Sequence, residues 1–326
     1  MSKKFKIILI SCLCLGIFGG FSEFFGPSLY VDEESVLEGK DYTRAAGDGD
    51  DQGVRAPTVA AEGAILIDGK SGDTIYEKDA DKKLYPASTT KIMTALVALE
   101  IIDEIGADLG SEVIVPAEAA GAEGSSVYLK AGEKVTLKEL MYGMMLQSGN
   151  DAAQAVAICC GGTLDEFVSR MNLKAQELGC ASTHFMNPSG LFDEEHYTTA
   201  RDLAIISRAA MEREDFREIV ATSHWESSDT GRIFNNKNKT ISQYEGATGI
   251  KIGYTERSGR TLAASAKRDG KELIAVVLND HNWFNDAYSL MDYGFARWDE
   301  ENDKDREVDC WRIFVWTGEQ INVPVR

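Results

Sequence analysis

The order in which apolar patterns follow one another restricts this chain more than any single residue does. Ala64-Ile65-Leu66-Ile67 reads as a short apolar strand, Asp68 to Asp73 supply turn residues, and Thr74 to Glu77 read as the returning strand of a hairpin. Behind Pro86, apolar residues recur at helical spacing through Ile92, Met93, Leu96, Val97 and Leu99. Further helices are expected at Leu137 to Leu146, Asp151 to Cys160, Leu164 to Leu178 and Thr199 to Met211. Strands then return at Thr248 to Tyr254, Thr261 to Ala266 and Leu273 to Leu278, followed by a helix near Trp283 to Trp298. A strand pair first, helices in the middle, and three strands with a helix last imply one antiparallel sheet closed by both ends of the chain. The expected fold class is therefore mixed α/β (α+β): an antiparallel sheet flanked by helices, with a helical lobe. There is no internal repeat.

Charge and composition then exclude classes of partner. Acidic residues outnumber basic ones by 53 to 34, a net charge of −19, so a basic nucleic-acid surface is hard to assemble and no nucleic acid is expected. The hydrophobic fraction of 44% is ample for a packed core. The first 22 residues differ from the rest: Lys3, Lys4 and Lys6 precede the apolar stretch Ile7 to Phe21, which reads as a signal peptide or N-terminal anchor. That stretch falls short of a full spanning helix, and Leu9-Ile10-Ser11-Cys12 has too little apolar sequence before it for a lipoprotein cleavage box. Residues 23–58 are acidic and without periodicity, a flexible linker. The folded domain is expected at 59–298, with 299–326 as a short C-terminal extension. Within that extension Arg312-Ile313-Phe314-Val315 and Ile321-Asn322-Val323-Pro324 suggest terminal strands and no anchoring helix. The chain is thus expected to be exported, touching a membrane only through an uncleaved N-terminal segment.

Several motifs lead nowhere. Gly69-Lys70-Ser71 lacks the first glycine of a phosphate loop at the required spacing and suits a hairpin turn. His184, His196, His224 and His281 form no HExxH pattern, and no cysteine pairs with them at metal-ligand spacing, so neither metal nor cofactor is expected. His196 is placed at the beginning of a helix. Cys159, Cys160, Cys180 and Cys310 match no zinc or redox spacing and read as buried free thiols, although an exported location permits a disulfide from Cys180 to Cys159 or Cys160.

Chemistry is concentrated at three places. Ser88-Thr89-Thr90-Lys91 is the only Ser-x-x-Lys in the chain and opens a helix, so hydroxyl and amine share one face within hydrogen-bond reach. Free N–H groups at that helix start favour an oxyanion, and a lysine acting as base needs burial or cationic neighbours to lose its proton. Ser148-Gly149-Asn150, the only Ser-x-Asn, falls on a loop between two helices, and Lys251-Ile252-Gly253 lies in a strand. A nucleophile pair, a hydroxyl with an amide, and a cation make up an acyl-transfer site.

Pro86-Ala87-Ser88-Thr89-Thr90-Lys91-Ile92-Met93-Thr94-Ala95, Ser148-Gly149-Asn150-Asp151 and Asn187-Pro188-Ser189-Gly190-Leu191 resemble the serine D-alanyl-D-alanine carboxypeptidases, the low-molecular-mass penicillin-binding proteins. The similarity runs from about residue 62 to about residue 297 and implies a β-lactamase/transpeptidase-like fold. It implies that Ser88 attacks the carbonyl between the terminal D-alanines of a peptidoglycan stem peptide while Lys91 takes its proton. Ser148 would relay a proton to the leaving D-alanine, and Asn150, with Gly149 beside it, would hold the substrate amide and the lysine. Lys251, Gly253 and Tyr254 would form the substrate-binding strand, Lys251 meeting the terminal carboxylate. The N–H groups of Ser88 and Tyr254 would form the oxyanion hole, where losing one donor costs roughly 3 to 4 kcal/mol. β-Lactam antibiotics would act as covalent inhibitors. Ile252 stands where the family carries threonine and removes a hydroxyl, which at a charged partner is worth about 1 to 3 kcal/mol. That departure motivates an alternative, a catalytically weakened penicillin-binding or peptidoglycan-sensing module. A class A-like β-lactamase is a further alternative, disfavoured because no deacylating glutamate stands out.

Overall fold

Two strands at the start of the folded region and three near its end make one sheet. The structure, a computed structural model, describes the backbone of residues 54–317 and side chains as far as residue 300. The signal segment, most of the acidic linker and Ile321 to Pro324 lie outside the described residues. Strands β1 (Gly63–Asp68) and β2 (Thr74–Lys78) form the hairpin expected from the Asp68 to Asp73 turn. Strands β7 (Ala247–Thr255), β8 (Gly259–Arg268) and β9 (Lys271–Leu278) form a meander. The spatial order is β2-β1-β9-β8-β7, every neighbour antiparallel, and the seam between the two ends of the chain is β1 against β9, with Ala64 opposite Val277.

Side-chain alternation along these strands divides the apolar residues between two layers. Leu66, Leu262, Ala264, Leu273, Ala275 and Val277 join the cluster of α8 (Trp283–Thr317), with Phe284, Tyr288, Met291 and Phe295. Ile65, Ile67, Ala263, Ile274, Val276 and Leu278 join the helical block on the opposite face. Because both faces are covered, β1 and β9 read as unbroken apolar runs. The middle of the block is α1 (Lys91–Glu104), in which every residue from Lys91 to Leu99 is buried. Around it lie α2 (Leu137–Leu146), α3 (Asn150–Gly161), α4 (Leu164–Glu177) and α5 (Ala200–Met211). Thr136, Thr163 and Thr199 cap α2, α4 and α5 by accepting from the amides of Glu139, Glu166 and Asp202. Thr199, and not His196, therefore begins α5.

Short elements complete the chain: the hairpins β3 (Glu112–Ile114) with β4 (Lys134–Thr136) and β5 (His224–Glu226) with β6 (Ile233–Asn235), and helices α6 (Glu214–Ala221) and α7 (Thr240–Gln243). The strand expected at Arg312 to Val315 is helix instead. The run from Asp299 to Thr317 contains no glycine or proline, so nothing in it breaks α8, which continues through it. Among the described residues no helix is long and apolar enough to cross a membrane. Cys159, Cys160 and Cys180 are free thiols.

Candidate active site

Ser88 sits in a single 3-10 turn, Ala87–Thr90, that runs directly into α1. Two hydroxyls hold the turn by the same carbonyl: Thr89 Oγ1 donates to Pro86 O at 2.6 Å, and Thr261 Oγ1 of β8 donates to it at 2.9 Å. Ala87 has a positive φ of 49°, a conformation that costs an L-residue energy and is kept only where neighbours enforce it. Gly190 lies directly against this residue: a Cβ there would stand 1.8 Å from Ala87 O, so only glycine leaves room for it.

Lys91 is fully buried and its Nζ has three partners: Ser88 Oγ at 2.9 Å, Asn150 Oδ1 at 2.7 Å and Ser189 O at 2.7 Å. Both carbonyl oxygens can only accept, so a neutral amine must direct its two N–H bonds at them, which leaves its lone pair facing the Ser88 hydroxyl. Burial pushes the Lys91 pKa well below its ordinary value; the charges of Lys251 and Lys237 push the same way, while Asp151 opposes them. The amine is thereby biased toward the form that can take a proton.

Each acceptor is itself fixed. Asn150 Nδ2 donates to Glu123 O and its backbone amide to Ser125 O, so the side chain cannot swing away. Asp151, wholly buried, accepts from Ser126 Oγ and from the amides of Val127 and Leu129, which ties the segment from Glu123 to Leu129 to the start of α3. Ser189 O is presented by a loop organised around Asn187, whose Oδ1 accepts from the amides of Ser189, Gly190 and Leu191. Thr94 Oγ1 donates to Pro188 O at 2.7 Å and docks the same loop on α1.

Ser148 and Gly149 lie in the loop between α2 and α3, Ser148 buried with a φ of 61°, and Gly149 packed against Asp151 Oδ1 and Val127. On the other side stands β7, the edge strand of the sheet, so one side of its backbone is available to an extended peptide. Lys251 is buried in it, with Nζ donating to Ile252 O at 3.1 Å, and Tyr254 is about half exposed. A Cβ on Gly253 would come within 2.7 Å of Ser88 N and 2.5 Å of Thr261 Oγ1, so strand and nucleophile turn touch at that residue. Ile252 belongs to the apolar cluster that includes Leu66, Leu262 and Tyr244.

Ser88, Lys91 and Asn150 are thus brought into direct hydrogen-bonded contact, with Lys251 near enough to act on Lys91 electrostatically. Sequence reasoning assigned no role to Asp151, Asn187, Ser189, Lys237 or Thr261. The Asn187 to Leu191 motif was the visible sign of the carbonyl that holds the lysine. Among the described residues no group of three or more His, Cys, Asp or Glu side chains is placed to hold a metal.

A serine whose proton is claimed by a buried lysine at the start of a helix, beside an open sheet edge, defines a serine acyl-transfer enzyme. Residues 50–282 match the family model described as D-alanyl-D-alanine carboxypeptidase, and the chain belongs to that family of serine peptidases. It is 37% identical over 253 residues to the D-alanyl-D-alanine carboxypeptidase DacB2 of Mycobacterium tuberculosis, covering 74% of this chain and 85% of the relative. DacF of Bacillus subtilis, a D-alanyl-D-alanine carboxypeptidase, is 34% identical over 268 residues, covering 80% of this chain and 68% of the relative. The crystal structure of the Streptomyces K15 DD-transpeptidase superposes with a TM-score of 0.70 at 35% identity, covering 74% of this chain and all of that one. The mixed fold with an antiparallel sheet is that of the penicillin-binding DD-peptidases.

Proposed function

We propose that the chain removes the terminal D-alanine from peptidoglycan stem peptides through an acyl-enzyme on Ser88, with residues 59–298 as the catalytic domain. One observation carries this reading: Lys91 Nζ lies 2.7 Å from two fixed carbonyl oxygens and 2.9 Å from Ser88 Oγ, so that a neutral amine there would turn its lone pair on the serine. The substrate lies along the free edge of β7 with its terminal carboxylate toward Lys251. Ser88 Oγ attacks the penultimate carbonyl as its proton passes to Lys91, and the oxyanion is received by the amides of Ser88 and Tyr254. Ser148 relays the proton from Lys91 to the leaving amine, giving up its own and taking that of Lys91, Asn150 keeps Lys91 and the substrate amide in register, and water then hydrolyses the ester. A β-lactam enters the same path and stays bound as a penicilloyl ester, because its leaving group remains tethered and blocks the water.

Action outside the cytoplasm follows from a cell-wall substrate, and the Lys3 to Phe21 segment supports export by a signal or an N-terminal anchor. The test is release of D-alanine from a peptide ending in D-Ala-D-Ala, comparing the protein with its Ser88→Ala variant. Release that disappears in the variant is expected. Equal release from both would overturn the assignment of the nucleophile, and no release from either would favour a binding module, with Ile252 the first residue to change.

A further inference from the structure

His196 is buried, with 2% of its surface exposed, and has no part in the mechanism above. Its Nδ1 lies 3.1 Å from the backbone N of Met186, and its Nε2 lies 2.8 Å from Thr90 Oγ1. An amide can only donate, so Nδ1 must be bare, and the ring proton of a neutral imidazole then sits on Nε2 and is donated to Thr90. These two partners are not arbitrary. Thr90 is the residue before Lys91, and Met186 is the residue before Asn187, which organises the loop presenting Ser189 O to the Lys91 amine. One imidazole therefore spans the gap between the segment that carries the base and the segment that orients it.

We infer that His196 is a positioning residue for the acyl-transfer reaction: as the neutral Nε2–H tautomer, it sets the separation of the Ser88–Lys91 turn and the Met186–Leu191 loop, and so the aim of the Lys91 lone pair. The inference rests on Lys91 being the base. Protonation of the ring would place a second N–H against the Met186 N–H, breaking that bond, and would add a cation near Lys91. The surroundings oppose this event. Burial lowers the His196 pKa to about 4; Lys91 from α1 and His184 from the neighbouring segment add to the lowering, and Asp193 from its own loop opposes it. Phe185 packs against the ring in a T-shaped contact. The tie is thus kept in its working form at neutral pH.

The experiment compares D-alanine release from a D-Ala-D-Ala peptide by the wild-type protein and by His196→Ala, His196→Asn and Thr90→Val, as kcat and KM between pH 4 and 9. His196→Ala is expected to lose about tenfold or more in kcat with KM little changed, the signature of a transition-state loss. His196→Asn keeps an acceptor for the Met186 amide and is expected to recover part of that loss. It is also expected to lack the additional proton dependence expected of wild type toward pH 4. Thr90→Val, which removes the other end of the tie and leaves the ring in place, is expected to lower kcat while retaining that dependence. If His196→Ala does not fold, His196→Asn and Thr90→Val decide the matter. Folded variants with wild-type kcat and wild-type pH profiles would overturn the inference. Lys91→Gln separates the two levels: an active Lys91→Gln protein removes the base itself, whereas an inactive one beside fully active His196 variants removes only the positioning role.

Discussion

Gly253→Ala tests whether contact between β7 and the nucleophile turn is as tight as the backbone implies. The added Cβ would lie 2.7 Å from Ser88 N, 3.0 Å from Thr89 N and 2.5 Å from Thr261 Oγ1. Ordinary carbon–nitrogen contact begins near 3.4 Å, so either strand or turn must yield by several tenths of an ångström, and the Thr261 bond to Pro86 O must rearrange. A displacement of about 1 Å at reacting groups costs on the order of 10²-fold in rate, so a shift of this size is expected to slow acylation roughly 10- to 100-fold. Overpacking at a buried site and the disturbed hydrogen bond together destabilise the fold by about 1 to 3 kcal/mol. The assay is stopped-flow acylation by a fluorescent penicillin, with thermal melting of the same samples. A variant that acylates within about twofold of wild type while melting lower would refute the claim that Gly253 sets the position of Ser88.

Lys237→Gln removes one of the two cations that disfavour protonated Lys91, so the Lys91 pKa is expected to rise and the acid limb of acylation to move to higher pH; an unmoved limb in the pH–rate profile would show that the charge does not reach the base. Ile252→Thr should lower stability by about 1 to 2 kcal/mol through lost apolar burial and a partly buried hydroxyl, while raising kcat/KM for the D-Ala-D-Ala peptide; unchanged melting and unchanged turnover would contradict both. His196 and Asp280 predict opposite pH dependences of stability. The His196 pKa falls from 6.5 unfolded to about 4 folded, so its contribution is complete above 6.5 and is lost as pH drops toward 4, about 3 kcal/mol in all. Burial and neighbouring Asp286 raise Asp280 from 3.8 to about 6, so its contribution is present at low pH and is lost as pH rises through 6. Melting from pH 4 to 7 should therefore fall more steeply toward acid in Asp280→Asn and more steeply toward neutral in His196→Asn, and parallel curves would refute the assignment.

The sheet was legible because β1, β8 and β9 are buried on both faces, which leaves continuous apolar runs such as Leu273 to Leu278 in the sequence. The pairs β3–β4 and β5–β6 were not, since three-residue strands carry no usable period, and α6 is only eight residues long. The length of α8 was hidden by its charge: Asp299 to Glu307 resembles a solvated tail although nothing in it stops a helix. At the site, Ser88, Lys91, Ser148 and Asn150 stood out because each belongs to a motif found once. Ser189 stood inside the quoted Asn187 to Leu191 motif, but its role was hidden because it acts through its carbonyl, and Val127 and Leu129 were hidden because they are held by their amides. His196 was read as a helix start because its two partners, Thr90 and Met186, are far from it in the chain.

The seam between β1 and β9 also governs when the enzyme can exist. Made from its N-terminus, the nascent chain presents Ser88 and Lys91 early, but β1 has no inner neighbour until Lys271 to Leu278 has been synthesised, and Thr261 and Gly253 reach the nucleophile turn only with those last strands. Until then Lys91 lacks the neighbouring charge of Lys251 and the complete burial that together lower its pKa in the folded protein. Full reactivity therefore requires the closed sheet. An unfolded copy carries the serine without the chemistry, and the same long-range pairing is of the kind that slows folding.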